Sequence, residues 1–399
     1  MSRQPQKKIK IEIDETVHDD HLFSFLPIKE AVQVGPVSTR FKNAWHLNRM
    51  LLFGTEFARF DQQELVDLIE RVFDVNKAPE IQAFCLHIDP QGVGAFIEKW
   101  LGICALKQVK ELELQFSQPF LLESHFLDIQ TLRILKLTNC EIQLPQVLTG
   151  LQFLNTIVFS RINLTENELK TLLSNCKLLN TLELSECLGI RVMDICARDS
   201  RYFKTLKIAY CPSVEDLNID VPSLRSIFYR GAVIRIEFKK ALPLKEAFFK
   251  FFPTRGYLLS HKVDRLVIDL FYATVLTTSS TFIELNNYNF ECGLYWKLHE
   301  KPMLDNFAYE FSRLKFVKLI GFKFAEYEIE LVKVLLQKSV KLESMVFVLP
   351  RNNRTTLVQA ADATYYNHLF RSWTVSPTAK MFLYEHRNDQ SKCPTHPKF

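Results

Sequence analysis

Glycine is scarce in this chain, 11 among 399 residues, and only 16 prolines accompany it. Collagen-like, low-complexity and wholly disordered architectures are therefore excluded. No run of 18 uncharged apolar residues occurs: the most apolar segments are interrupted by Lys245, Glu246 and Lys250, or by Asp264, Arg265 and Asp269, so no membrane contact is expected. A surplus of one charge is missing too. The 50 basic and 45 acidic residues leave +5, too little over this length to imply nucleic acid as a partner. No two of the nine cysteines stand two residues apart, which removes the ligand geometry of zinc fingers, ribbons and RING-type sites. Their odd number, spread from Cys85 to Cys393, fits free thiols in a reducing compartment better than a disulfide-stapled module. The N-terminus, with Lys7, Lys8, Lys10, Glu12, Asp14 and Glu15, lacks the apolar stretch of a secretory signal. The expected location is the nucleus or cytoplasm, and the sequons at Asn163-Leu164-Thr165 and Asn353-Arg354-Thr355 are left without a route to glycosylation.

Catalytic chemistry is equally thin. Gly92-Val93-Gly94 begins like a dinucleotide loop, but the third glycine position is Ile97 and no strand-turn-helix cradle is expected around it. His299-Glu300 begins like a zinc-protease helix, but Met303 occupies the second histidine's place and Pro302 would break the helix. The ten histidines are scattered, and nothing resembles a nucleophile elbow. No catalytic residue, cofactor or metal is expected.

What is present is a repeat. The 399 residues, 47% of them hydrophobic, allow two or three folded units at about 100–200 residues each. Ile129, Leu132, Leu135, Leu137 and Cys140 give the leucine-rich-repeat pattern L-x-x-L-x-x-L-x-L-x-x-C. The frame recurs through Leu151, Leu154, Ile157, Phe159, Ile162; Cys176, Leu179, Leu182, Leu184, Cys187; Phe203, Leu206, Ile208, Cys211; and Val221, Leu224, Ile227, Tyr229, with an earlier copy at Leu106, Val109, Leu112, Leu114. One position of the frame falls at 112, 135, 157, 182, 206 and 227, with steps of 23, 22, 25, 24 and 21, inside the normal repeat length. Two apolar residues one apart face the same side of a short strand, and only stacking of successive units seals them from water. Each fully buried Leu or Ile contributes about 1.5–3 kcal/mol. Cys140, Cys187 and Cys211 occupy the Asn/Cys position and read as buried thiols facing loop backbone. Thr165 and Glu168 form a capping-box pattern ahead of Leu169, Leu172 and Leu173, so a helix returns the chain there.

The expected fold is α/β, a curved solenoid whose outward strand residues Lys136, Thr138, Glu183, Ser185, Lys207, Phe228 and Arg230 line the concave side and meet a target protein. From 230 to 265 basic residues interleave with Phe238, Phe248, Phe249, Phe251 and Phe252, read as buried phenylalanines under a solvated charged face rather than a nucleic-acid surface.

Two further segments carry a family resemblance. His21 to Phe53 contains an apolar Leu22-Phe23-Ser24-Phe25-Leu26 turn, Pro27, Lys29-Glu30-Ala31-Val32, and Val37 through Trp45. Ser38 is a suitable helix cap there, and Phe41 and Trp45 at i, i+4 make one aromatic edge. The segment resembles the F-box of plant proteins in which it precedes leucine-rich repeats, with Glu15 to Asp20 standing where the family opens on a Leu-Pro-acidic-acidic turn. The resemblance implies binding to a Skp-type adaptor, and through it to a cullin, by Leu22, Phe25, Leu26, Pro27, Ala31, Val32, Val37, Ser38, Phe41 and Trp45. Phe311 to Val348 resembles the FBD region that follows the repeats in such proteins: Leu314, Val317 and Leu319 as a strand, Ile329, Val332, Leu335 and Leu336 as an amphipathic helix, Met345 and Phe347 as a closing strand.

The expected organisation is a disordered 1–14, an F-box-like helical module at 15–55, a helical linker and start of the solenoid at 56–105, repeats at 106–310, an FBD-like cap at 311–350 and a partly disordered tail at 351–399. The implied function is a non-catalytic, substrate-recruiting subunit of an SCF-type ubiquitin ligase. The alternative is a repeat-based interaction protein whose degenerate F-box no longer binds the adaptor.

Overall fold

The computed structural model describes residues 44–57, 60–123, 129–145, 150–232, 234–239, 244–252, 273–279, 310–351 and 360–391. Its strands, in chain order, are β1 (Met50–Phe53), β2 (Ala83–Ile88), β3 (Glu111–Leu121), β4 (Ile134–Glu141), β5 (Thr156–Ser160), β6 (Thr181–Ser185), β7 (Val192–Cys196), β8 (Thr205–Ala209), β9 (Asp216–Asp220), β10 (Ser226–Ala232), β11 (Arg235–Phe238), β12 (Glu246–Phe252), β13 (Val275–Ser279), β14 (Phe316–Ile320), β15 (Ser344–Val348) and β16 (Lys380–Tyr384). Thirteen form one sheet, in chain order but without β7, β9 and β11, which pair in a second sheet with β9 in the middle. All the pairings are parallel. This is the large parallel sheet that leucine-rich repeats predict.

The frame read from the sequence coincides with the register. Leu112, Leu135, Ile157, Leu182, Leu206 and Ile227 are consecutive Cα partners across six strands, and all are buried. The row extends at both ends, back through Phe84 to Leu51 and forward through Ala247, Leu276, Val317 and Met345 to Met381. Backbone bonds prolong the pairing ahead of each strand: Asn155, Asn180, Lys204, Arg225 and Lys245 each donate N–H to the carbonyl of the counterpart one repeat earlier, at 2.7–2.9 Å. Four residues beyond the frame position the chain turns through a left-handed residue, Asn139, Arg161, Glu186 or Tyr210, each with φ of 53–55°. Such a conformation is strained for an L residue other than Asn or Gly, so its recurrence marks where the repeat must bend. The next residue is Cys140, Ile162, Cys187 or Cys211, all buried. The three thiols donate to backbone carbonyls, among them those of Thr138, Ser185 and Ala209 at 3.5–3.6 Å.

The return segments differ along the array. Helices α1 (Gln62–Val75) and α2 (Gly94–Leu106) follow β1 and β2, and α3 (Glu166–Asn175) follows β5. Asp61 and Glu64 cap α1 reciprocally, as Thr165 and Glu168 cap α3. Buried Trp100 on α2 donates Nε1–H to Glu70 Oε1 on α1 at 2.6 Å, tying the first two returns together. Where α3 is not repeated, the short strands β7, β9 and β11 take its place, burying Met193, Ile195, Leu217, Ile219, Ile236 and Phe238.

Several boundaries differ from those expected. The sheet begins at Met50, inside the stretch assigned to a helical head, because Leu51 and Phe53 alternate into the core. Gly92-Val93-Gly94 does lie between a strand and a helix, with Gly92 at φ +78° in the turn, but Ile97 faces the core. β15 is not the closing strand, since β16 pairs with it. Within the tail read as partly disordered, helix α5 (Ala360–Trp373) precedes β16. It is held by aromatic packing against the FBD-like unit: Phe324 on Tyr366 at 4.6 Å and Phe347 on Phe370 at 5.2 Å between ring centres. In that unit β14, α4 (Glu326–Lys338) and β15 cover the expected residues except Leu314, which is buried in the approach to β14 rather than on the strand.

Candidate functional site

Alternation along each strand sends one set of side chains into the core and the next to the other side of the sheet. In-register pairing then lines the outward set up in rows across strands. One row runs Cys85, Glu113, Lys136, Val158, Glu183, Lys207, Phe228, Phe248. The next runs His87, Gln115, Thr138, Ser160, Ser185, Ala209, Arg230, Lys250. All seven expected target-contact residues, Lys136, Thr138, Glu183, Ser185, Lys207, Phe228 and Arg230, fall in these two rows. Residues on β6, β8 and β10 are immediate neighbours, while Lys136 and Thr138 stand one strand further off, across β5.

The first row is electrostatically paired. Lys136 Nζ donates to Glu113 Oε2 at 2.8 Å, and Lys207 Nζ to Glu183 Oε2 at 2.9 Å. Lys207 also lies over the Phe228 ring, 6.0 Å from its centre, and Phe228 packs on Phe248 at 6.3 Å. Phe228 is only 4% exposed, so the expectation that its ring is open on the surface is corrected; Lys207 and Phe248 are among the side chains packed against it. In the second row the Arg230 guanidinium stacks 4.6 Å from the centre of exposed Tyr210 and 5.7 Å from Phe252, and those two rings stack at 5.5 Å. Burial, and then the charges of Arg230 and Arg351, hold the Lys250 ammonium below its ordinary pKa. Lys239 and Lys245 are exposed while Phe238, Phe248, Phe249 and Phe251 are buried, as expected of this segment; Phe252, expected to be buried with them, is only partly so and stacks on Tyr210.

At the N-terminal end of both rows, Cys85, His87 and Glu113 come together. One donor atom from each lies within 4.8 Å of the others. His87 Nε2 is 3.2 Å from Glu113 Oε1. The His87 hydrogen bond and then Lys136 draw the Glu113 carboxyl down to about 2, against a burial that alone would raise it. Burial, and secondarily the Glu113 charge, push the Cys85 thiol up to about 12. The three side chains border an open cavity of ≈ 330 Å³ whose rim includes Glu56 and Lys136. Spacing in the sequence offers only Cys85-x-His87, an alternation shared by any strand; Glu113 joins it through register.

Of the residues the F-box resemblance assigns to the adaptor, Leu22, Phe25, Leu26, Pro27, Ala31, Val32, Val37, Ser38 and Phe41 lie outside the described residues. Trp45 falls in a short 3₁₀ turn, Ala44–Leu47, just ahead of β1. Among the described residues no helix is long and apolar enough to cross a membrane.

Residues 76–260 match the family model described as the At1g61320/AtMIF1 LRR domain, a stretch that includes β2 through β12. Two FBD-associated F-box proteins of Arabidopsis thaliana are similar along most of their length. At1g61330 is 27% identical over 417 residues, covering 88% of this chain and 93% of the relative. At1g61320 is 26% identical over 424 residues, covering 88% and 92%. The F-box/FBD/LRR-repeat protein At1g13570 of the same plant is 24% identical over 173 residues, 42% of this chain and 41% of the relative. The relatives thus carry the three names, F-box, FBD and leucine-rich repeat, that the sequence itself suggests.

Proposed function

We propose that this chain is a substrate-recruiting F-box subunit of an SCF-type ubiquitin ligase, working in the nucleus or cytoplasm. Its N-terminal segment binds a Skp-type adaptor, and through it a cullin, by Leu22, Phe25, Leu26, Pro27, Ala31, Val32, Val37, Ser38, Phe41 and Trp45. The repeats stack as a curved solenoid whose outward rows hold a target protein, with Lys136, Thr138, Glu183, Ser185, Lys207 and Arg230 on the contact face and Phe228 supporting it from beneath. Ubiquitin transfer is done by other chains. The contribution of this one is effective concentration: a target tethered beside the ligase meets it as a nearly intramolecular partner.

The observation that carries the reading is the similarity to proteins named for an F-box over 88% of the chain. The outward rows add a face of paired charges and stacked aromatics suited to a protein partner. A pull-down of the full chain with a Skp-type adaptor tests the proposal. Wild type is retained and the double variant Leu26→Asp, Pro27→Ala is not. Equal capture of both versions, or of neither, would replace this reading with that of an interaction protein whose F-box has degenerated. For the target side, proteins that accumulate when the chain is removed should be captured by wild type and lost with Lys207→Glu, Arg230→Glu.

A further inference from the structure

Cys85 and His87 are two residues apart on β2 and therefore project from the same side of the sheet, while Glu113 on β3 is the in-register partner of Cys85. Their donor atoms already lie within 4.8 Å of one another. Thiolate, imidazole and carboxylate donors bound at about 2.0–2.3 Å around a tetrahedral ion stand roughly 3.5 Å apart, so small side-chain rotations close the set. The donor chemistry selects the ion: sulfur and imidazole favour a zinc-class metal, whereas magnesium and calcium ask for oxygen alone.

Two further observations bear on the site. His87 faces Glu113 with Nε2, and its Nδ1 is buried without a hydrogen-bond partner, so no second protein group fixes the ring against turning toward an ion. The cluster also opens on the ≈ 330 Å³ cavity, where the Glu56 carboxylate curls over Gly54 so closely that a Cβ there would come within 2.8 Å of its Oε2. A fifth side chain is poised against the ion. Lys136 Nζ now holds Glu113 Oε2 at 2.8 Å, and a cation at the cluster competes with it for the same carboxylate.

We propose that Cys85, His87 and Glu113 bind a divalent zinc-class ion on the outward face, bridging β2 and β3, with its cavity side open to water or to a donor from a docked protein. A bound ion deprotonates a coordinating thiol outright, overcoming the protonated state that burial favours at Cys85. The site uses nothing from the N-terminal segment, so metal uptake and adaptor capture succeed or fail independently.

Full chain stripped by a chelator under reducing conditions and titrated with cobalt(II) tests the site, because cobalt occupies zinc sites and reports thiolate ligation through a near-ultraviolet charge-transfer band. Wild type should take up one equivalent with that band. Cys85→Ser should abolish the band, and His87→Ala and Glu113→Gln should each weaken binding by about ten-fold or more. Lys136→Met should tighten it several-fold, and Cys196→Ser, at an exposed thiol on β7, should leave the band unchanged. Circular dichroism establishes that each variant keeps its fold; should Cys85→Ser lose it, the Lys136→Met and Cys196→Ser arms decide with the ligands intact. No cobalt uptake by wild type, a band that survives Cys85→Ser or disappears in Cys196→Ser, or unaltered affinity in Lys136→Met overturns the proposal.

Discussion

Leu182 offers the sharpest test of the packing that positions the outward rows. It is 1% exposed, at the frame position of β6, with Ile157 on one side and Leu206 on the other. Leu182→Ala removes three carbons, worth about 0.8 kcal/mol each in transfer free energy. Close-packed neighbours on adjacent strands cannot collapse fully into the gap, so a cavity cost adds to this and the total loss should reach about 3–4 kcal/mol. Met381 supplies the graded control. It holds the same frame position in β16, paired on one side by β15, and is only half-buried, so Met381→Ala should cost about 1–1.5 kcal/mol. Urea unfolding of the full chain, followed by circular dichroism and tryptophan fluorescence, reads both as shifts in midpoint at unchanged slope. A loss below about 1 kcal/mol at Leu182, or an equal or larger loss at Met381, would refute the argument that burial along the frame sets stability.

Thr165→Ala removes the side-chain half of the reciprocal cap on α3, in which Thr165 Oγ1 accepts from Glu168 N–H, and leaves the backbone N–H of residue 165 donating to the Glu168 carboxylate; a thermal melt should show a loss of about 1 kcal/mol. Lys318 is 9% exposed and donates to Asp389 Oδ2 at 2.5 Å. Although burial alone would raise the Asp389 carboxyl, the Lys318 and Ser391 hydrogen bonds hold it below its ordinary value. The stability it contributes is therefore present above the unfolded carboxylate range near pH 4 and lost as pH falls through the folded value. Asp389→Asn should cost about 2 kcal/mol at neutral pH and flatten the acid limb of the stability curve, which pH-resolved urea melts would reveal. Alkylation of the folded chain followed by peptide mapping should label exposed Cys196 well ahead of buried Cys104, Cys140, Cys176, Cys187 and Cys211; comparable rates would contradict the placement of the thiols.

The sequence made the middle of the sheet legible because large apolar residues recur there at nearly constant spacing. The frame fades at its ends for identifiable reasons. Leu51 and Phe84 belong to it, but α1 and α2 stretch the intervals to 33 and 28 residues. Beyond Ile227 the frame position is held by Ala247, whose single methyl group carries no signal. The second sheet is hidden because β7, β9 and β11 each bury only two apolar residues, in alternation, too few to set a period. Burial of Phe228 could not be read from its parity in the strand, since it depends on packing against neighbouring repeats, Lys207 and Phe248 among them. The Cys85, His87 and Glu113 cluster has the same origin: adjacency across a pairing of strands whose partners stand 28 residues apart in the chain.

The rows impose a spacing on whatever crosses them. Adjacent strands stand about 4.8 Å apart, whereas alternate side chains of an extended peptide repeat every 6.8 Å or so. A peptide laid perpendicular to the strands therefore drifts out of step with successive rungs and comes back into coincidence about every third one. Starting from Lys136 on β4, the third rung is Lys207 on β8. Two cations thus sit one vernier interval apart, a distance that two acidic side chains separated by four residues on an extended segment would span.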